Sequence, residues 1–300
     1  MSPTAIWGEL ICVKKLITVL SLVLFLQIAH PAESENKTAT GLTRIQFVTD
    51  VNQVVPGEEI TVALVLKPDT DFHIYWRGPG IVGVAPTIEW DLPEGFEPGS
   101  IEWPAPVKVD MVGITANGFK SETWLLSTIR VPEKVVSQQI EIRAEIAWMA
   151  CAATCHPGIE RLSLTLPAGE TAEKDETISK RFTKIRSQLP PPSPKGWGFS
   201  VSSPEANTIE LDVVVPNLKW SDDTVIDFFC DDFQVDSSVA MASKTLGDGK
   251  FTLTFTRPDF GPKKPKYFSG VLYSETGWPD TESKWVEVKT SWKHPKSKDE

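Results

Sequence analysis

The sequence predicts an all-β protein: two immunoglobulin-like β-sandwich domains joined by a short helix and a Pro-rich linker. Three observations carry this expectation. Short stretches of alternating apolar and polar residues recur throughout the chain, Pro and Gly punctuate them at close intervals, and a helical period occurs at one place only.

Residues 33–42 are polar and read as loose, and strand signals begin at Thr43. Thr43–Val51, then Glu59–Leu66 after the turn residues Pro56-Gly57, alternate as half-buried strands do. Phe72–Trp76 follows, then a loop rich in Gly and Pro from Gly78-Pro79-Gly80 to Pro86. Thr87–Trp90 and Ser100–Trp103 read as short strands divided by Pro93-Glu94-Gly95, and Trp124–Val131 as another.

In the next strand Ile140, Ile142, Ala144, Ile146 and Trp148 share one face, with Glu141, Arg143, Glu145, Ala147 and Met149 on the other. After Pro157-Gly158 the alternation resumes at Leu162, Leu164 and Leu166. Two strands therefore enclose a short connection that carries Cys151 and Cys155.

The pattern changes around Gly169. Ile178, Phe182, Ile185 and Leu189 recur at helical spacing, so Glu173–Gln188 reads as a helix, ended by Pro190-Pro191-Pro192-Ser193-Pro194. This places a first domain at 40–168, the helix and linker at 169–197 and a second sandwich at 198–292. The second sandwich is expected to use Gly198–Ser202, Thr208–Val215, Thr224–Cys230, Ser238–Ser243, Lys250–Arg257, Tyr267–Ser274 and Lys284–Ser291. Gly247-Asp248-Gly249 marks a hairpin turn, and 293–300 reads as a disordered tail.

Composition bounds the function. The 300-residue chain is 41% hydrophobic and 23% charged, with 11 Trp and 24 Pro, as in soluble globular proteins. Its formal net charge is -10 and no basic patch is evident, which argues against nucleic acid as a partner. Lys14-Lys15 followed by the apolar run Leu16–Ile28 reads as a secretory signal over 1–32, the other reading being an uncleaved anchor. A secreted chain would be soluble in an oxidising space, where disulfides persist. Cys12 precedes the apolar run, which leaves Cys151, Cys155 and an odd Cys230. Cys230 reads as a buried free thiol or, alternatively, as one half of an intermolecular bridge.

A bridge between Cys151 and Cys155 closes a loop of about five residues, worth on the order of 2 kcal/mol by chain entropy. A longer loop would make a better staple, so the short one points to a bond meant to open and close, with an inert bridge as the plain alternative. His156 directly follows Cys155 and either lowers a thiol pKa as a cation or is an ordinary surface residue, since strand neighbours point to opposite faces. The Trp residues at 76, 90, 103, 124 and 148 read as core.

The runs His73-Ile74-Tyr75-Trp76-Arg77-Gly78-Pro79-Gly80, Trp90-Asp91-Leu92-Pro93-Glu94-Gly95-Phe96, Ile101-Glu102-Trp103-Pro104-Ala105-Pro106 and Trp148–Pro157 together resemble one known family. It is the N-terminal periplasmic domain of the thiol:disulfide interchange protein DsbD, in the branch that includes the copper-sensitivity suppressor ScsB. The resemblance covers about residues 40–168, with a weaker echo at Phe268-Ser269-Gly270-Val271-Leu272.

The resemblance implies an immunoglobulin-like domain whose cysteine pair takes electrons from a membrane-embedded donor and passes them to periplasmic thioredoxin-fold disulfide proteins. It assigns the mixed disulfide to Cys155 and resolution to Cys151, so the chain is expected to be a thiol–disulfide oxidoreductase module without autonomous turnover. It also implies an aromatic cap over the pair, for which Phe119 in the stretch Thr115–Glu122 is the candidate. Tyr75 falls near an aromatic that lies beside the pair in relatives, or else packs in the core. Two departures stand out: the loop Gly78–Gly83 lacks the family's Asn and Asp-Ser, and the sequence ends without transmembrane or thioredoxin-like domains, so the electron donor is expected to be a separate membrane protein.

No cofactor is required for exchange. The alternative is copper: Met149, Cys151, Cys155 and His156 form a soft ligand set suited to Cu(I), although the His and Met spacing of a copper A site is missing. A covalent haem site would need Cys-x-x-Cys-His. A pure interaction module would need no thiol chemistry, and no Ser/His/Asp grouping suggests hydrolysis.

Overall fold

The protein is described from a computed structural model over residues 41–219 and 224–292. The expected signal at 1–32, Cys12 and the tail at 293–300 lie outside the described residues.

Ten strands precede the helix: β1 (Leu42–Thr49), β2 (Glu59–Pro68), β3 (His73–Tyr75), β4 (Thr87–Asp91), β5 (Glu97–Pro98), β6 (Val107–Met111), β7 (Ile114–Phe119), β8 (Thr123–Arg130), β9 (Gln139–Cys151) and β10 (Cys155–Pro167). One sheet has the order β1-β2-β8-β5; the other runs β10-β9-β3-β7-β6, with β4 added on β9. All the pairs are antiparallel. The alternation in β9 is read out as expected: Ile142, Ile146, Trp148 and Ala150 are buried between the sheets with Leu64, Ile74, Trp76 and Leu125.

Helix α1 spans Glu176–Arg186, shorter than the 3.6-residue period suggests. Its start is set by Asp175, whose carboxylate accepts the Ile178 amide at 2.9 Å as an N-cap. Phe182 and Ile185 dock on the outer face of the β2/β8 sheet, and the Phe182 and Trp124 rings meet edge to face at 5.5 Å. The prolines after α1 are fastened to the second sandwich, with the Glu287 amide donating to the Pro191 carbonyl at 2.8 Å.

The second sandwich pairs β11 (Gly198–Ser202), β12 (Thr208–Val214), β15 (Lys250–Thr256) and β14 (Ala242–Gly247) in one sheet. Its other sheet is β13 (Ile226–Cys230), β16 (Tyr267–Ser274) and β17 (Trp285–Ser291). This three-stranded sheet is apolar on both sides: Phe228, Cys230 and Leu272 face their own sandwich, while Phe229 and Val271 face the core of the first. A sheet covered on both faces explains the unbroken apolar pair Phe228-Phe229. Cys230 is a buried free thiol, pushed well above its ordinary pKa first by burial and then by Asp232.

Three expected elements are corrected. Ser100–Trp103 is not a strand: the segment 97–103 follows β8 through β5, the Gly99 amide on the Thr128 carbonyl and an isolated bridge from Glu102 to Leu126, with Pro98 and Pro104 unable to donate to a ladder. The strand expected at Ser238–Ser243 lies at β14, because the Gly247-Asp248-Gly249 turn fixes its register against β15. The stretch expected as a cap loop, Thr115–Glu122, instead contributes strand β7, and its hairpin with β6 escaped the sequence reading. Asn117-Gly118, a turn dipeptide by composition, lies inside β7, where the Asn117 amide donates to the Gly78 carbonyl at 2.8 Å.

Candidate functional site

The β9–β10 hairpin keeps one register from Gln139↔Pro167 to Cys151↔Cys155. The two cysteines are therefore the last opposed pair before the turn Ala152-Ala153-Thr154, with their Cα atoms 4.2 Å apart and a disulfide between them. Antiparallel pairing alone brings opposed residues this close. Two residues in the ribbon suit its edge position. Pro157 is tolerated because, among the described residues, β10 has no strand paired on that side. At Gly158 any Cβ would meet the Trp148 indole at 2.3 Å.

The two sulfurs are not equivalent. Cys151 is fully buried and Cys155 is exposed. Cys151 lies in a small cluster with Tyr75, Val109 and Ala116, joined by the partly buried Val82, Met111 and Met149. Apart from Val82 in the loop after β3, these belong to the face of the sheet that points away from the main core. Tyr75 is buried there, its hydroxyl without a partner among the described residues, and burial raises its pKa. Gly83 (φ 95°) lets the loop after β3 close over it, for a Cβ there would strike the Tyr75 ring at 2.1 Å.

The cap is the β6–β7 hairpin, and its contact residue is Met111. The Met111 thioether lies 3.8 Å from the Cys155 sulfur. Phe119, the expected cap, is paired with Ile74 across β3/β7 and packs in the main core instead. A shift of one residue along a strand exchanges one face for the other, which is why an aromatic in the right stretch points the wrong way. The cap was within reach of the sequence: Val107, Val109 and Met111 alternate with Lys108 and Asp110 just after Pro106.

His156 is also on the opposite face from the sulfurs. It is opposed to Ala150, its Nε2 lies 2.9 Å from the Thr154 hydroxyl, and its ring meets Phe72 edge on at 5.3 Å. Met149, two residues before Cys151, shares the cysteine face. Among the described residues no group of three or more His, Cys, Asp or Glu side chains is gathered as a metal site. The cleft of about 480 Å³ bounded by Phe119, Lys120, Trp124, Gln188, Lys284 and Trp285 is lined by neither cysteine.

The second sandwich holds the base of the cap. Ser237 accepts the Ile81 amide at 3.2 Å and donates to the Thr115 carbonyl at 2.7 Å, which ties the loop Gly78–Gly83 to β7. Lys108 on β6 pairs with Asp227, and Arg77 pairs with Asp231 at 2.7 Å.

The family described as "Thiol:disulfide interchange protein DsbD, N-terminal" matches residues 45–167. Residues 45–167 form a DsbD N-terminal-like domain. The structure is similar to the N-terminal periplasmic domain of ScsB from Proteus mirabilis, with a TM-score of 0.57 and 16% identity over 84% of this chain and 99% of that one. At that identity the likeness is one of fold, and it takes in strands of both sandwiches. Against Spo0M, a sporulation control protein of Bacillus subtilis, the TM-score is 0.20 at 10% identity, over 83% of this chain and 89% of that one. No curated protein matches the chain. The DsbD N-terminal-like domain thus carries its cysteine pair as a disulfide at a hairpin end, under a hairpin braced from the neighbouring sandwich. Among the described residues no helix is long and apolar enough to cross a membrane.

Proposed function

We propose that the chain is a periplasmic thiol–disulfide exchange module that relays reducing equivalents through Cys151 and Cys155 to thioredoxin-fold disulfide proteins, recharged by a separate membrane donor. The observation that carries this reading is the asymmetry of the pair: Cys155 is exposed at a sheet edge beneath one thioether, and Cys151 is buried behind it. Exchange needs one sulfur open to in-line attack and a second held where only its neighbour can be reached.

In the reduced state the Cys155 thiolate attacks a partner disulfide. The partner's S–S bond breaks, one partner sulfur leaves as a thiolate, and a mixed disulfide forms. Cys151 then attacks the Cys155 sulfur, re-forming the intramolecular bond and releasing the second partner thiolate. The pair loses two electrons and the partner gains two. A Cys151→Ala variant retains the attacking sulfur and lacks the resolving one, so it accumulates a covalent adduct through Cys155 in a periplasmic extract. Recovery of no adduct would overturn the relay.

A second reading, Cu(I) handling, draws support from the two thioethers on the cysteine face, Met111 and Met149. Cys151, Cys155 and these thioethers are the soft donors that suit Cu(I). His156 points away and drops out of that ligand set. Competition of the reduced protein with a chromophoric Cu(I) chelator tests it: one equivalent held by the wild type and lost in Cys151→Ser is the copper outcome.

A further inference from the structure

The register of the sheet places a third chemical group in line with the two sulfurs. His73 on β3 is directly opposite Cys151 on β9, which is directly opposite Cys155 on β10. Opposed residues on neighbouring strands share a face, with Cβ atoms about 5 Å apart. The imidazole, the buried sulfur and the exposed sulfur thus form one row across three strands.

Resolution of a mixed disulfide requires Cys151 as a thiolate, and its surroundings oppose that. Cys151 is fully buried among Val109, Ala116 and Tyr75, and an apolar setting favours the neutral thiol. Its proton needs a nearby acceptor, since bulk water does not reach it. His73 is 4% exposed, and its buried Nε2 has no hydrogen-bond partner among the described residues. Leaving a buried imidazole nitrogen unpaired costs stability, so such an atom beside a redox pair calls for a reason. The ring stands edge on to Tyr75 at 5.1 Å, which fixes its plane.

We propose that His73 is the proton acceptor for the Cys151 thiol in the resolving step. This rests on the exchange reading above and names the acid–base partner that reading lacks. The proton passes from the Cys151 sulfur to His73 Nε2, the thiolate attacks the Cys155 sulfur, and the partner sulfur leaves with the electron pair of the mixed disulfide. The imidazolium then returns its proton to solvent or to the departing thiolate. The charges around His73 act on it through space. Burial lowers its pKa most, Lys120 just beyond β7 lowers it further, and Asp110 on β6 opposes both. The ring is held neutral, as a base must be, while the Asp110 carboxylate is occupied in the β6–β7 turn, accepting the Gly113 amide at 3.2 Å. His156 cannot substitute, because it is on the other face.

Ellman's reagent separates the steps without any protein partner. Attack by Cys155 on the reagent releases the first thionitrobenzoate, and resolution by Cys151 releases the second. In stopped flow His73→Gln is expected to leave the first phase unchanged and slow the second about a hundredfold at neutral pH, the lower end of what a general base supplies. The second phase of the variant should follow a plain thiol titration. A second phase unaffected by the substitution overturns the role of His73 and leaves the relay standing; equal slowing of both phases also overturns it, as an effect of folding. A second measurement uses the wild type alone: the rate of the second phase must bend at the pH where the His73 imidazole, followed by NMR, takes up its proton, and a second phase with no bend there overturns the proposal. Failure of the relay itself would appear elsewhere, as a missing adduct in the Cys151→Ala trap.

Discussion

Met111 and Cys155, 44 residues apart in the chain, meet sulfur to sulfur at 3.8 Å, and this is how the β6–β7 hairpin covers the exchange site. A single unbranched side chain makes a cover that can lift without disturbing the core, because the rest of the hairpin is held at its base. Met111→Ala is expected to speed reduction of the disulfide by dithiothreitol about fivefold, the equivalent of ~1 kcal/mol of lost contact. Trapping with a maleimide and gel shift gives the rate. A rate equal to wild type would mean the thioether does not shield the bond.

The hairpin turns on Val112-Gly113, with φ 52° and 84°. Two positive φ values define the turn that fits strand twist, yet the first falls on a β-branched residue that is 70% exposed. Such a residue in the left-handed region costs on the order of 1–2 kcal/mol. Val112→Asn, which accepts that conformation, is expected to stabilise the protein by about 1 kcal/mol in urea unfolding. Unchanged or lower stability would show that the valine side chain has contacts which outweigh the strain.

Ser237 links the loop after β3 to β7 from the other sandwich. Removing its hydroxyl leaves the Ile81 amide and the Thr115 carbonyl without that partner. In Ser237→Ala the Ile81 amide is expected to exchange with deuterium about fivefold faster, since a net hydrogen bond is worth ~1 kcal/mol. A harsher probe is Gly78→Ala, whose Cβ would lie 1.9 Å from the Cys230 carbonyl oxygen and force the two sandwiches apart. Its expected cost is about 1–3 kcal/mol, the range of overpacked sites. An Ala that costs nothing would mean the two sandwiches do not need this close approach.

His73 gives stability a defined pH dependence. In the folded protein its pKa is below the ordinary 6.5, by burial first and then by Lys120. Between the folded value and 6.5 the unfolded chain binds more protons, so stability rises with pH in that window. The contribution is fully present above 6.5 and is lost as pH falls toward the folded value. Urea midpoints measured at about pH 7.5 and about pH 5.5 should therefore fall less steeply in His73→Gln than in wild type. Parallel profiles would contradict it.

Much of this was open to a reader of the sequence, and for one reason: alternation and helical period are local. The two faces of β9, the cysteines at its end, the buried stripe Phe182 and Ile185 of α1 and the turn at Gly247-Asp248-Gly249 follow from spacings of a few residues. The runs around Trp76, Trp90 and Trp103 and the cysteine hairpin were enough to place the family.

What lies opposite what is a different matter, because register is set between strands that are distant in sequence. Phe119 was in the right stretch but of the wrong parity, and His156 stood beside Cys155 yet turned to the other face. Tertiary structure alone put Met111 over Cys155, His73 in line with Cys151 and Ser237 at the root of the cap. Each of these joins residues that no local period relates, and each depends on strands and sheets packing at one register and not the next. The sequence therefore determined the chemistry available, a pair of thiols on a β ribbon, while the packing of sheets decided which sulfur faces solvent, what covers it and which base can reach its partner.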